Sequence, residues 1–128
     1  MTDANLHGMD KIGSDASLLL VDDDKPFLTR LARAMESRGF DVRTADSVEA
    51  GVIAVRVTAP AYAVVDLRLN DGNGLTIIEA IREKRPEARI IVLTGYGNIA
   101  TAVTAVKLGA VDYLAKPADA DEVFYALT

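Results

Sequence analysis

The sequence has no cysteine, which excludes disulfides and thiolate metal sites and fits a cytoplasmic protein. It has one histidine, His7, in a polar leader, so chemistry that needs a histidine base is nearly excluded and His7 reads as a tail residue. No apolar run approaches the roughly 18 residues of a membrane span, which predicts a soluble chain with no membrane partner. The opening MTDANLHGMDKIGSDA lacks the apolar centre of a secretory signal. Basic residues are outnumbered, 14 against 19 acidic, for a formal charge of −5. Phosphate contacts need a Lys/Arg surface, so no nucleic acid is expected to bind this chain alone. Internal repeats, linkers and the phosphate-cradling patterns GxGxxG and GxxxxGKS/T are also missing.

What is present is 128 residues, 50% hydrophobic and 26% charged, which suits one domain with a single core. The runs SLLLV (17–21), AYAVVD (61–66), RIIVLT (89–94) and VDYLA (111–115) are short and rich in Val, Ile and Leu. They predict strands buried on both faces, as in a parallel sheet. FDVRT (40–44) alternates apolar and polar residues and predicts an edge strand. Helical patterns lie between. PFLTRLARAMESRG has Pro26 near its start and stops at Gly39; SVEAGVIAVRVT follows Asp46 or Ser47 as a cap and stops before Pro60. LTIIEAIREKR stops before Pro86, NIATAVTAVKL stops at Gly109, and DADEVFYALT opens a last helix. Alternating strands and helices with right-handed crossovers give an α/β, doubly wound five-stranded parallel sheet of order 2-1-3-4-5, the flavodoxin-like arrangement. Residues 1–15 are expected to be a flexible tail and 16–128 the domain.

The ends of the central strands carry the chemistry. The first strand runs into Asp22, Asp23 and Asp24, the third ends in Asp66, the fourth in Thr94, and Lys116 follows the fifth. Strands 1 and 3 are neighbours in the expected order, so Asp22, Asp23 and Asp66 converge at a crevice where such sheets bind ligands. Unrelieved, their repulsion would raise at least one pKa and cost stability. A hard divalent cation resolves it, because Mg²⁺ takes one or two carboxylates together with waters and phosphate oxygens. Thr94 adds a hydroxyl donor and Lys116 a point charge suited to phosphate. Together these groups make a phosphoryl-transfer site, where positioning and charge neutralisation carry most of the catalysis. Asp66 is the best nucleophile for an aspartyl-phosphate, since the glycine-rich NDGNG after it leaves the carboxylate open to a donor. Each feature alone has an ordinary reading: an Asp pair in a solvated loop, a surface lysine, a GNG turn. Their joint placement at strand ends selects the functional one. Asp24 reads only as a cap or a first-turn charge for the first helix.

These residues resemble the receiver domain of two-component response regulators over roughly residues 16–128. The family pattern is an acidic pair, a phosphoacceptor Asp, a Thr or Ser, and Lys-Pro, matched here by Asp22-Asp23, Asp66, Thr94 and Lys116-Pro117. The resemblance implies that Asp23, Asp66 and the backbone carbonyl of Arg68 ligate Mg²⁺, with Asp22 acting mainly through water. It implies that Asp66 accepts phosphate from a sensor histidine kinase, that Tyr113 is the switch aromatic partnering Thr94, and that the Lys116-Pro117 bond is cis. The runs LLLVDDDKPFLTRLARAMESRGFDV, VVDLRLNDGNGL and IIVLTGYGNIATAVTAVKLGAVDYLAKPADADEV are similar to the RegA/PrrA/ActR branch of redox-responsive regulators. That branch joins a receiver to a Fis-like helix-turn-helix domain, through which DNA would be bound. Two positions depart from the general pattern. Asn70 stands where the family usually has Pro, which predicts a more mobile loop. Gly95 stands where Ala is common, which predicts wider access to the phosphoryl site and a looser backbone.

The fourth helix is expected to be marginal. Thr101, Val103, Thr104 and Val106 are β-branched, each up to roughly 0.7 kcal/mol worse than Ala. Ile99, Ala102, Val103 and Val106 read as its buried stripe, and Thr101, Thr104, Ala105 and Leu108 as an uncharged outer face. On phosphorylation Thr94 would move toward the phosphoryl oxygens and Tyr113 would turn inward. The fourth helix, fifth strand and fifth helix would then repack as an output surface or a phosphorylation-dependent homodimer. Val123, Phe124, Ala126 and Leu127 lie at helical spacing with no glycine stop, which predicts continuation into a linker and, by resemblance, an output domain. The receiver reading makes the chain no enzyme beyond catalysing its own phosphorylation and dephosphorylation. One alternative is a haloacid-dehalogenase-like phosphatase with Asp22 as nucleophile in a D-x-D pattern with Asp24. Another is an adaptor whose acidic site is vestigial.

Overall fold

The computed structural model describes residues 12–95 and 99–128. In chain order the elements are β1 (Ser17–Val21), α1 (Lys25–Ser37), β2 (Asp41–Ala45), α2 (Val48–Val57) and β3 (Tyr62–Asp66), then a hairpin of β4 (Arg68–Leu69) and β5 (Gly72–Asn73). After it come α3 (Leu75–Lys84), β6 (Arg89–Thr94), α4 (Ile99–Lys107), β7 (Asp112–Ala115) and α5 (Ala120–Leu127). The main sheet is five-stranded, all parallel, in the order β2-β1-β3-β6-β7. Setting aside the hairpin, this is the expected 2-1-3-4-5.

Alternation along the strands sorts their side chains onto two faces. Leu19 and Val21 of β1 point to one face with Ile77, Ile78 and Ile81 of α3 and Val55 of α2. Leu18 and Leu20 point to the other with Leu28, Leu31 and Met35 of α1 and Val123, Phe124 and Leu127 of α5. Both faces are covered, which is why β1, β3 and β6 read as unbroken apolar runs. Burying each such Leu or Ile contributes about 1.5–3 kcal/mol. Capping sets the helix starts. Asp24 accepts from Phe27 N–H at the head of α1, Ser47 from Ala50 N–H at α2, and Asp119 and Glu122 form a capping box at α5. Among the described residues no helix is long and apolar enough to cross a membrane.

Three expectations are corrected. First, β7 is not buried on both faces: Asp112, Tyr113 and Ala115 are exposed, because β7 is an edge strand with one neighbour, β6. Second, residues 12–15 are no tail. Ile12 is buried, Gly13 N–H donates to Tyr62 Oη at 2.8 Å, and Asp15 pairs with Arg85 at 2.7 Å. The remainder of the expected tail, residues 1–11 with His7, lies outside the described residues. Third, the stripe assigned to α4 is rotated. Ala102 and Ala105 are its fully buried residues, while Ile99, Val103 and Val106 are 57%, 45% and 41% exposed. The helix packs on β6 and β7, and small alanines allow that close approach where branched side chains would hold it off. The branched Ile99, Val103 and Val106 are left on the outer side. Asn98, expected to open this helix, lies outside the described residues.

Candidate functional site

Parallel pairing brings the carboxyl ends of β1, β3, β6 and β7 to one edge. Asp66 is the last residue of β3, Thr94 the last of β6, Asp22 and Asp23 follow β1, and Lys116 follows β7. Asp22, Asp66 and Thr94 are buried there, 1%, 4% and 1% exposed. Asp22, Asp23 and Asp66 each offer an oxygen within 4.8 Å of the others. Lys116 Nζ donates to Asp22 Oδ2 at 2.8 Å and Asp66 Oδ2 at 3.2 Å. The other Asp22 oxygen accepts from Asp24 N–H at 2.9 Å, and Asp66 Oδ1 from Arg68 N–H at 3.1 Å. Asp22, Asp23, Asp66 and Lys116 therefore meet at this edge, and Thr94 ends the strand beside β3.

One ammonium faces three carboxylates, so negative charge is left over. Burial pushes the Asp66 carboxyl above its ordinary 3.8, against the Arg68 N–H bond, and the charge of Asp22 adds to the rise while Lys116 opposes it. Burial alone would lower the Lys116 ammonium, but the Asp22 bond and both carboxylate charges outweigh it and hold the pKa above 10.5. Excess negative charge on oxygen donors, with the Arg68 peptide adjoining Asp66, fits a hard divalent cation. The donor set contains no sulfur or imidazole, so a soft metal is disfavoured.

The remaining predicted residues surround this cluster. Thr94 Oγ1 is 3.5 Å from the Leu114 carbonyl, at the limit of a hydrogen bond, so the hydroxyl is only weakly committed. Tyr113 is 38% exposed. The Lys116-Pro117 peptide is cis. Two contacts were not foreseen. Lys116 Nζ lies 5.2 Å from the centroid of the Phe27 ring, a cation–π distance. Asp71, in the glycine-rich loop, accepts from Val48 and Glu49 N–H at 2.8 and 3.1 Å. No local pattern marks either, since the partners are distant in sequence.

The phosphatase alternative is not supported. Asp24, the second Asp of the D-x-D pattern, caps α1 and is not among the clustered carboxylates Asp22, Asp23 and Asp66.

The family model described as response regulator receiver domain matches residues 18–128. The chain is 68% identical over 117 residues to the photosynthetic apparatus regulatory protein RegA of Rhodobacter capsulatus, covering 91% of this chain and 64% of that protein. It is 63% identical over 125 residues to the acid tolerance regulatory protein ActR of Rhizobium meliloti, covering 96% of this chain and 64% of that one. It thus spans just under two thirds of the length of these curated relatives, which lie in the branch indicated by its motifs. Among solved structures, a response regulator from Burkholderia pseudomallei, crystallised with a phosphorylated aspartic acid, a calcium ion and citrate, superposes with a TM-score of 0.82 at 42% identity, covering 89% of this chain and 67% of that one. With the strand order, the strand-end residues and these matches in agreement, the chain belongs to the response regulator receiver domain family.

Proposed function

We propose that Asp66 is the phosphoacceptor and that Asp23, Asp66 and the Arg68 backbone carbonyl hold Mg²⁺, with Asp22 acting through water. The observation that carries the reading is the convergence of three carboxylates and one ammonium at the sheet edge. An Asp66 carboxylate oxygen attacks phosphorus of a phosphohistidine on a sensor kinase. The new bond is P–O and the broken bond P–N, whose electron pair stays on the departing imidazole nitrogen, which takes a proton from water. Mg²⁺ supplies charge neutralisation for the phosphoryl oxygens. Lys116, held beside Asp66 by its ion pair, shifts to a phosphoryl oxygen, and the weakly committed Thr94 hydroxyl donates to another. The phosphoaspartate of the Burkholderia pseudomallei regulator supports the same chemistry here.

The phosphoryl group is the signal rather than a product, so the chain acts as a switch and not as a turnover enzyme. Its output is transcriptional, exerted through a DNA-binding domain of the whole protein in the cytoplasm. The exposed Ile99, Val103 and Val106 of α4, with Tyr113 of β7, are the apolar surface for that output or for a phosphorylated homodimer. Incubation with a small-molecule phosphodonor and Mg²⁺ tests the reading. One acid-labile phosphate on Asp66, lost in Asp66→Asn and blocked by chelator, is the expected result. Full labelling of Asp66→Asn, or multiple turnover of a generic phosphate ester, sinks it.

A further inference from the structure

Asp71 sits on the β4–β5 hairpin turn, yet its carboxylate closes the start of α2. Its Oδ1 accepts from Val48 N–H at 2.8 Å and its Oδ2 from Glu49 N–H at 3.1 Å. Ser47 Oγ takes the next donor, Ala50 N–H, at 3.0 Å, and Gly51 N–H begins the intrahelical series with Ser47 O. A helix start leaves its first N–H groups without intrahelical partners. At α2 two of them are satisfied from outside, by a loop more than twenty residues on. The bonds from Val48 and then Glu49 hold the Asp71 carboxyl below its ordinary range, so the charged acceptor is present at neutral pH.

The loop that Asp71 anchors begins at Asp66. Its root is fixed: Leu67 N–H bonds Leu93 O, Gly74 N–H bonds Leu67 O, and Arg68 N–H bonds Asp66 Oδ1. The hairpin itself has two pairings, Arg68 with Asn73 and Leu69 with Gly72. So short a ribbon does not hold its own shape in water. Its turn residue Asn70 lacks the fixed φ of a proline, and Gly72 has φ +150°. The outer restraint therefore comes from Asp71 on α2, with buried Leu69 as the inner one.

We infer that Asp71 is a positioning residue for the metal site, tying the hairpin to α2 and so fixing the Arg68 carbonyl beside Asp23 and Asp66. This rests on the ligand assignment proposed above. Asp71 touches none of the reacting groups and acts through the Arg68 peptide.

Calorimetric Mg²⁺ titration of the unmodified chain, Asp71→Ala and Asp71→Asn, with hydrogen exchange on the same samples, tests it. Asp71→Ala is expected to bind Mg²⁺ about tenfold more weakly, the scale on which a residue supporting a metal ligand acts. Asp71→Asn loses the charge and one of the two acceptor oxygens, keeping a single N–H bond to α2, and should fall between the alanine variant and the unmodified chain. Amides of Val48, Glu49 and Leu69 should exchange fastest in the alanine variant. A purely structural role would lower the melting temperature and leave Mg²⁺ affinity of the folded protein unchanged; that result overturns the inference. Equal weakening in both variants with exchange at Val48, Glu49 and Leu69 unchanged also overturns it, because charge and not the tie would be responsible. Absence of Mg²⁺ binding by the unmodified chain removes the ligand assignment and this inference together.

Discussion

At Asp66 burial, a backbone bond and two neighbouring charges act on one carboxyl group, and burial dominates. Its pKa in the fold lies above the ordinary 3.8, so the sign is the reverse of a stabilising salt bridge. Ionisation costs folding free energy at neutral pH, and the cost shrinks as pH falls below the folded-state value and is gone below the ordinary 3.8. Without a divalent cation, Asp66→Asn should therefore stabilise the fold. Urea melts in chelator check this. Adding Mg²⁺ should raise the unmodified protein's midpoint and leave that of Asp66→Asn nearly still, since ligand binding stabilises only the form that binds. Asp23→Ala should abolish the metal response, whereas Asp22→Ala, whose oxygens are already engaged by Lys116 and Asp24, should weaken it less.

Among the elements, α3 and α4 constrain the site in opposite ways. The start of α3 is pressed against the end of β3: a Cβ on Gly74 would stand 2.4 Å from the Asp66 carbonyl oxygen. Gly74→Ala should therefore cost about 1–3 kcal/mol and slow phosphorylation, because the backbone that must give way carries the acceptor. A melt paired with a labelling time course measures both. By contrast α4 buries only two alanines fully, Ala102 and Ala105, and its outer Ile99, Val103 and Val106 are exposed. Little apolar area is lost if it shifts. A beryllofluoride complex at Asp66 should show its largest hydrogen-exchange change in α4, with some gain in self-association. Change confined to Asp22, Asp23 and Asp66 would place the output elsewhere. At α5, Asp119→Ala removes the capping-box acceptor and should cost about 1 kcal/mol.

Across the whole molecule, the segment at Ile12–Asp15 braces the end of the sheet opposite the aspartates. The Asp15 carboxyl is lowered to about 2, first by the Ser17 backbone bond, then by the Ser17 hydroxyl and Arg85. Its contribution is present above the ordinary value of 3.8 and is lost as pH falls toward about 2. The Asp15 side chain is 47% exposed, so solvent screening limits the contribution to under about 1 kcal/mol. Comparing denaturant midpoints of the unmodified chain and Asp15→Ala should show a gap at neutral pH that closes in strong acid. A gap that widens in acid would contradict the assignment.

The placement of the strand-end residues was legible in the sequence because it depends on local rules. Apolar runs bounded by turns fix where strands stop, and parallel crossovers send every stop to one edge. Asp22, Asp23, Asp66, Thr94 and Lys116 could therefore be placed together without coordinates. The helix starts at Asp24 and at Asp46 or Ser47 could be read for the same reason, and the structure selects Asp24 and Ser47 as the caps. Other features depend on which surfaces meet. Whether α4 buries branched residues or alanines is decided by how closely the helix approaches β6 and β7. Whether residues 12–15 dangle or pack is decided by Tyr62 and Arg85, about fifty and seventy residues away. The restraint on the Asp66 loop is likewise nonlocal: Asp71 has no partner until folding brings the N–H groups of α2 to it. Periodicity and turn chemistry act over a few residues, and the sequence by itself determined what they govern; contacts closed over tens of residues were decided only by the tertiary structure.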